Sequence, residues 1–360
     1  MSGHPAKAAA RAFAGRFGLR VPLLQAPMAG VPSLDLAAAV GDAGAMPALG
    51  ALLMEPPAIA QWVAQLRARC AAPLQVNLWA PDPPPIRDPA HEARVAAFLE
   101  AFGPPAPTGA ADARPPDFEA QCAAVLEARP AVFSTIMGLP PESLLVRLKD
   151  RGISWFATVT TLAEAREALA AGADALVVQG AEAGGHRGAF EAGRARDEAV
   201  GLFALLPRVA DAATVPVVAT GGIADARGLA AALLLGAHAV QLGSVLLRTP
   251  EAGIAPAWAR ALDALPPEGT RLTRAFSGRT GRAVATRYVE AAAATGAPEP
   301  APYPVQRGLT AAMRREAETA GDLQRMQAWA GQGAGLPARV GPARAWLKDL
   351  WTEADRLLPG

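Results

Sequence analysis

The chain repeats one pattern eight times: a short apolar run ending in Gly, Pro or a polar residue, then a longer stretch of helical period rich in Ala, Leu and Arg. That alternation is the mark of βα units and a parallel sheet. Strands are expected at 21–26, 45–49, 74–78, 131–136, 155–159, 175–178, 215–219 and 239–242. Helices are expected near 34–43, 57–70, 118–128, 142–149, 162–171, 197–212 and 225–235. Eight such strands close a barrel more naturally than they extend an open sheet. The predicted fold is therefore α/β, a (β/α)8 TIM barrel over residues 1–250. A chain of 360 residues, 51% hydrophobic, can fill such a core as one domain with insertions.

Two stretches do not fit the repeat. After the third strand, residues 81–116 hold Pro83-Pro84-Pro85, Pro104-Pro105 and Pro115-Pro116 around a helix expected near 92–101. Proline pairs prevent regular structure, so this reads as an insertion on the active-site side, partly mobile. The tail, 251–360, is too long for one final helix and is expected to pack over the barrel as a helical extension.

Charge and cysteine usage narrow the function classes. Lys+Arg 34 against Asp+Glu 33 leaves a net charge of +1, which supplies no electrostatic drive toward nucleic acid or an anionic membrane. No run of about 18 apolar residues is present to span a bilayer. Lys7, Arg11, Arg16 and Arg20 lie in a segment without an apolar centre, which reads as an ordinary N-terminal helix rather than a targeting leader. Cys70 and Cys122 are far apart and both fall in expected helices. Neither a disulfide framework nor a metal site is expected, and a reducing cytoplasm fits best.

A barrel binds its ligands on the loops after the strand C-termini, with phosphate usually after the seventh and eighth strands. The seventh is followed by Thr220-Gly221-Gly222-Ile223 and the eighth leads into Gln241-Leu242-Gly243-Ser244. Glycine alone often merely ends a strand. Two glycine turns on these two strands, beside a helix N-terminus near Asp225, point to a phosphoryl ligand held by backbone N–H groups. There is no GxxxxGK[ST] loop and no GxGxxG after the first strand, so a dinucleotide fold is disfavoured. A flavin mononucleotide or a phosphorylated substrate remains.

Of four histidines, His4 is terminal, His91 lies in the proline-rich insertion and His238 begins the last strand at the barrel bottom. His186 alone follows a strand on the catalytic face, in the loop Gln179 to Gly188, where Gly180, Gly184, Gly185 and Gly188 surround one imidazole. It could cap a helix or bond backbone. It could also take a proton from carbon or donate to a developing anion, since imidazole titrates near neutral pH.

Four segments together resemble the nitronate monooxygenase family, formerly called 2-nitropropane dioxygenases. They are Gln25-Ala26-Pro27-Met28-Ala29-Gly30, Gln75-Val76-Asn77-Leu78-Trp79, the Glu182-Ala183-Gly184-Gly185-His186-Arg187-Gly188 loop, and the turns from Val217 to Ile223 and Gln241 to Ser244. A weaker match lies in the tail at 274–279, Tyr303-Pro304 and 329–333. Two places depart from the family pattern: Gly44-Ala45-Met46-Pro47 stands where a Gly-Gly-Leu-Gly run is common, and the insertion is this chain's own.

The resemblance implies a noncovalent FMN and the conversion of an alkyl nitronate, or of a nitroalkane, with O2 into a carbonyl compound and nitrite. Pro27, Met28 and Ala29 would line the isoalloxazine, and Asn77 and Gln179 would bond its polar edges. Gly184 and Gly185 would approach the flavin closely, and Gly221, Gly222, Gln241, Leu242, Gly243 and Ser244 would cradle the phosphate. His186 would be the catalytic residue, either as neutral base or as imidazolium partner of the nitro group. No metal is implied, and a homodimer is compatible with such a barrel. The rival reading is an NAD(P)H-dependent FMN reductase on the same barrel, of quinone-reductase or enoyl-acyl-carrier-protein-reductase type. An inosine-monophosphate-dehydrogenase-like barrel would need a nucleophilic cysteine after a strand, and a non-enzymatic flavin- or phosphate-binding barrel would not need the His186 loop merely to bind phosphate.

Overall fold

The computed structural model describes residues 4–337 and 339–359. Its strands are β1 Leu23–Gln25, β2 Ala48–Gly50, β3 Gln75–Trp79, β4 Val132–Ile136, β5 Ser154–Val159, β6 Ala175–Gln179, β7 Gly185–His186, β8 Val217–Thr220, β9 Ala239–Leu242, β10 Thr270–Thr273 and β11 Gly281–Val284. Eight of them pair in parallel in the order β1-β9-β8-β6-β5-β4-β3-β2. A parallel bridge from Leu24 to Met46, just before β2, brings the two edges together and closes the barrel. This is the predicted TIM barrel.

Strand alternation sorts the side chains into two sets. Outward residues such as Phe133, Ala157, Val159, Leu176, Val178, Val217, Ala219, Val240 and Leu242 meet the surrounding helices in one large core. Inward residues change character along the barrel axis. At the lower end Leu24, Val132, Phe156, Val177, Val218 and Ala239 form a dry plug with Phe13 from the N-terminal helix Pro5–Arg16. One pleat higher the inward positions are polar: Asn77 lies opposite Ser134, Gln179 opposite Thr220, and Thr220 opposite Gln241. The floor is apolar and the upper layer can bind.

Two expectations need correction. The helix expected over 197–212 starts only at Leu202, where the Glu182 carboxylate accepts the Leu202 N–H at 3.0 Å and so substitutes for an N-cap side chain that Gly201 lacks. Cys70 lies beyond the end of helix Pro56–Arg67, half-buried, whereas Cys122 is buried within helix Phe118–Ala128. The proline-rich insertion also carries packed structure at its centre. Its helix Pro89–Leu99, capped by Asp88, buries Val95 and Leu99, and with Phe102 they join Phe276, Tyr288, Val289, Leu309 and Met313 in a second core. The reason is nonlocal: proline prevents a sheet or helix from continuing, but the apolar residues between the prolines found a partner in the tail.

The tail does more than lie on the barrel as helices. β10 and β11 form an antiparallel sheet with β7, pairing Gly281 with His186. The last helix, Ala343–Leu357, returns to the outer ring and packs against helices Leu34–Ala43 and Ala226–Leu234. It buries Ala343, Leu347, Leu350 and Ala354 there.

Candidate active site

A cavity of about 610 Å3 opens at the C-terminal end of the barrel. That lies within the roughly 300–1,000 Å3 typical of small-molecule sites. Thirteen of the fourteen residues expected at the site line it: Pro27, Met28, Ala29, Asn77, Gln179, Gly184, Gly185, His186, Gly221, Gly222, Gln241, Gly243 and Ser244. Leu242 does not. It sits between Gln241 and Gly243 on a pleated strand, so its side chain points the other way, into the outer core.

The histidine loop is braced from beneath. Gln179 donates from Nε2 to the His186 carbonyl at 3.0 Å and accepts the Gly188 N–H at 2.8 Å through Oε1. Arg187, 3% exposed, donates to the carbonyls of Gln179 and Thr160. Burial lowers its pKa to about 10, which still leaves it charged at neutral pH. Much of Gln179 is thus committed to shaping the loop.

The imidazole of His186 lies between two indoles, with Trp79 and Trp329 each 4.7 Å away between ring centroids. Its Nε2 is 2.7 Å from Ser277 Oγ. That hydroxyl also lies 3.3 Å from the Arg279 N–H, which donates to it, and 3.2 Å from the Arg279 carbonyl. One arrangement of hydrogens satisfies all of these groups: the hydroxyl donates to the carbonyl, and Nε2–H donates to the hydroxyl. The lone pair then sits on Nδ1, which has no partner among the described residues and is not fully buried. Burial pushes the His186 pKa down to about 3, with the positive charges of Arg307, Arg279 and Arg314 adding to the shift. The ring is neutral at physiological pH.

Ser277 is itself held from the tail and the insertion. Arg279, 1% exposed, makes a two-pronged ion pair with Asp82 in the loop after β3 and donates to the Ala189 carbonyl at 2.9 Å. The connection between β10 and β11 that carries Ser277 is therefore tied to both the insertion and the residue following the histidine loop.

Elsewhere on the cavity wall, three turns meet. Gly221 and Gly222 have φ of 113° and 71°, a region that favours glycine. Asp225 caps helix Ala226–Leu234 just beyond them. A Cβ on Gly184 would lie 2.4 Å from the Gly331 nitrogen and 2.6 Å from Ser244 Oγ. Ser244 Oγ accepts the Gly331 N–H at 2.8 Å, which leaves its own proton to donate. Glycine lets these turns pack this closely, and they line the cavity beside a helix N-terminus and the Ser244 hydroxyl, surroundings that suit a phosphate. Asn77 gives both Nδ2 protons to Ser134, at 3.1 and 3.0 Å, so its Oδ1 is left to accept from a ligand N–H. The donor set, acceptor and cavity fit a flavin with a phosphate tail.

Several lining residues had no assigned role in the sequence reading: Trp79, Trp329, Gly331, Gly333, Arg307 and Arg314. All but the last lie in or beside segments of the family pattern; Trp79 ends β3, and the folded tail brings the others over the barrel mouth.

The nitronate monooxygenase family model matches residues 13–353. The chain belongs to this family. It is 37% identical to the nitronate monooxygenase of Paraburkholderia phytofirmans over 353 residues, covering 95% of this chain and 94% of that protein. It is 38% identical to the nitronate monooxygenase of Pseudomonas aeruginosa, covering 95% and 98% respectively. A solved nitroalkane oxidase from Streptomyces ansochromogenes superposes with a TM-score of 0.86 at 35% identity, covering 96% of this chain and 99% of its own. As a member of the nitronate monooxygenase family the chain is a flavin-dependent oxidoreductase, and among its described residues no helix is long and apolar enough to cross a membrane.

Proposed function

We propose that the protein binds FMN in the barrel-mouth cavity and converts alkyl nitronates, and nitroalkanes after deprotonation, with O2 into carbonyl compound and nitrite. The observation that carries this reading is an imidazole, bonded to Ser277 through Nε2, that lines the same cavity as the phosphate-type cradle. When bound, FMN would supply the redox chemistry, accepting electrons from the substrate and passing them to oxygen. Its phosphate would be held by the amides of Gly221, Gly222 and Gly243 and by Ser244, its ring against Pro27, Met28 and Ala29, and its ring N–H by Asn77 Oδ1.

The chain's own contribution is positioning and one proton. Trp79 and Trp329 fix the plane of the His186 ring, and Ser277 fixes which nitrogen carries its proton. Nδ1 then takes the α-proton of a neutral nitroalkane, leaving the nitronate in place beside the flavin. A depressed pKa favours this base over an imidazolium, since the charged form is the disfavoured one. The reducing cytoplasm suits the two free thiols, Cys122 among them pushed up to about 12 by burial.

The test is a yellow holoenzyme given ethyl nitronate in air, beside an anaerobic mixture with NADH or NADPH. Nitrite release without bleaching by either nicotinamide is expected. Rapid bleaching with no nitrite would overturn the assignment in favour of a reductase. His186→Asn should reduce turnover of neutral nitroethane by about 100-fold or more, the usual worth of a positioned base, while preformed ethyl nitronate is still consumed. Equal loss on both substrates would refute the base role.

A further inference from the structure

We propose that Arg307 is the residue that holds the anionic oxygens of the nitronate during turnover. The inference rests on the reading that nitronates are the substrates, and it assigns the charge-binding half of the chemistry, which a neutral His186 leaves unfilled.

Arg307 lies in the short tail helix Val305–Leu309 and lines the main cavity together with His186. Its guanidinium makes no hydrogen bond or ion pair with any described residue, and none of its nitrogens is sealed from the cavities. The contrast with its neighbours is sharp. Arg314 on the same wall is spent on Thr310, Gln327 and the Arg307 carbonyl. Arg279 is spent on Asp82 and Ala189. Half-burial lowers the Arg307 pKa, so a partly desolvated cation is held there with no ion-pair partner among the described residues. A group of that kind gains most from an anion that enters the same pocket.

Its position also marks an approach route. A second cavity of about 480 Å3 is lined by Arg114, Arg307, Arg314 and Arg315, with Glu55 as its carboxylate. The two cavities share Leu53, Arg307 and Arg314, so Arg307 stands at their junction. Glu318 is the carboxylate that lines the main cavity. An anion attracted by the exposed Arg114 and Arg315 would meet Arg307 on its way to His186. Proton removal and charge binding then fall to different residues. Nδ1 takes the proton, and the negative charge left on the two nitro oxygens faces the guanidinium fork.

The experiment compares the wild-type holoenzyme with Arg307→Met and Arg307→Lys. The readouts are steady-state kinetics on ethyl nitronate and the dissociation constant of nitrite, followed by perturbation of the flavin spectrum. Arg307→Met should raise both KM for ethyl nitronate and the nitrite dissociation constant by about 10-fold or more, the usual effect of losing one charge-assisted hydrogen bond. Arg307→Lys should keep both within a few-fold of wild type. Melting temperature should be nearly unchanged in both, since the guanidinium bonds nothing in the protein. Values within twofold of wild type in Arg307→Met would overturn the proposal. So would a loss seen only with a nitronate that carries a separate carboxylate, because Arg307 would then serve the far end of the substrate. A wild-type enzyme inert to nitronates would refute the functional reading instead, and nitrite binding would still decide whether Arg307 is an anion site.

Discussion

His186 shows how much chemistry depends on one side chain's surroundings. Free imidazole would be half charged near pH 6.5, but between two indoles and three arginines this ring has a pKa near 3. The folded value lies below the unfolded one, so between about pH 6.5 and pH 3 the unfolded chain binds the proton more readily. Stability therefore falls as pH drops through that window, by at most about 1.4 kcal/mol per unit from this group. Urea midpoints at pH 7.5 and pH 5 should separate more in wild type than in His186→Asn. For catalysis the same shift means that kcat/KM for a neutral nitroalkane should show no acid limb near pH 6.5. Ser277→Ala should lower that kcat/KM about 10-fold by freeing the tautomer, with a smaller effect on preformed nitronate. Equal effects on the two substrates would show that Ser277 only supports packing. His186 could be singled out from the chain because it alone follows a strand on the catalytic face. Ser277 could not, since its link to His186 spans 91 residues of sequence separation.

At the scale of elements, the site is a meeting of loops whose spacing is set by glycine. The turns around Gly184, Ser244 and Gly331 approach so closely that a methyl group on Gly184 would collide with backbone. Gly184→Ala should still fold, because the barrel strands do not depend on this contact, but it should lose flavin. The ratio of flavin to protein absorbance after purification measures this, and full retention would refute the cradle. The Arg279–Asp82 pair joins the sheet of β10 and β11 to the insertion, and it is largely buried. Removing one member of such a pair typically costs about 3–5 kcal/mol. Asp82→Asn should therefore lower the unfolding midpoint in urea, and it should also loosen Ser277 from His186. The strands and turns of this site were readable in sequence because their signals are local: period-2 apolar runs and glycine at strand ends. The Leu242 side chain does not line the cavity because a motif names consecutive residues, whereas a pleat sends alternate side chains to opposite faces.

For the whole molecule, the tail finishes what the barrel begins. Helix Ala343–Leu357 fills a gap in the outer ring, against the helix that starts beside the phosphate-type cradle. A chain truncated after residue 341 would expose the apolar faces of helices Leu34–Ala43 and Ala226–Leu234. It should be recovered mainly as aggregate, and any soluble fraction should be colourless; a yellow, soluble product would contradict this. The sequence alone determined the eight-stranded barrel, its binding end, the glycine turns and His186, because each follows from patterns within about ten residues. Tertiary structure alone decided that the proline-rich insertion is packed, that Trp79 and Trp329 flank the histidine, and that Ser277 and Arg307 reach the cavity. Those contacts join segments separated by about ninety residues or more, or depend on which face of an element turns inward. Local periodicity carries no record of such partners; they are chosen when apolar surface left over from the barrel is buried.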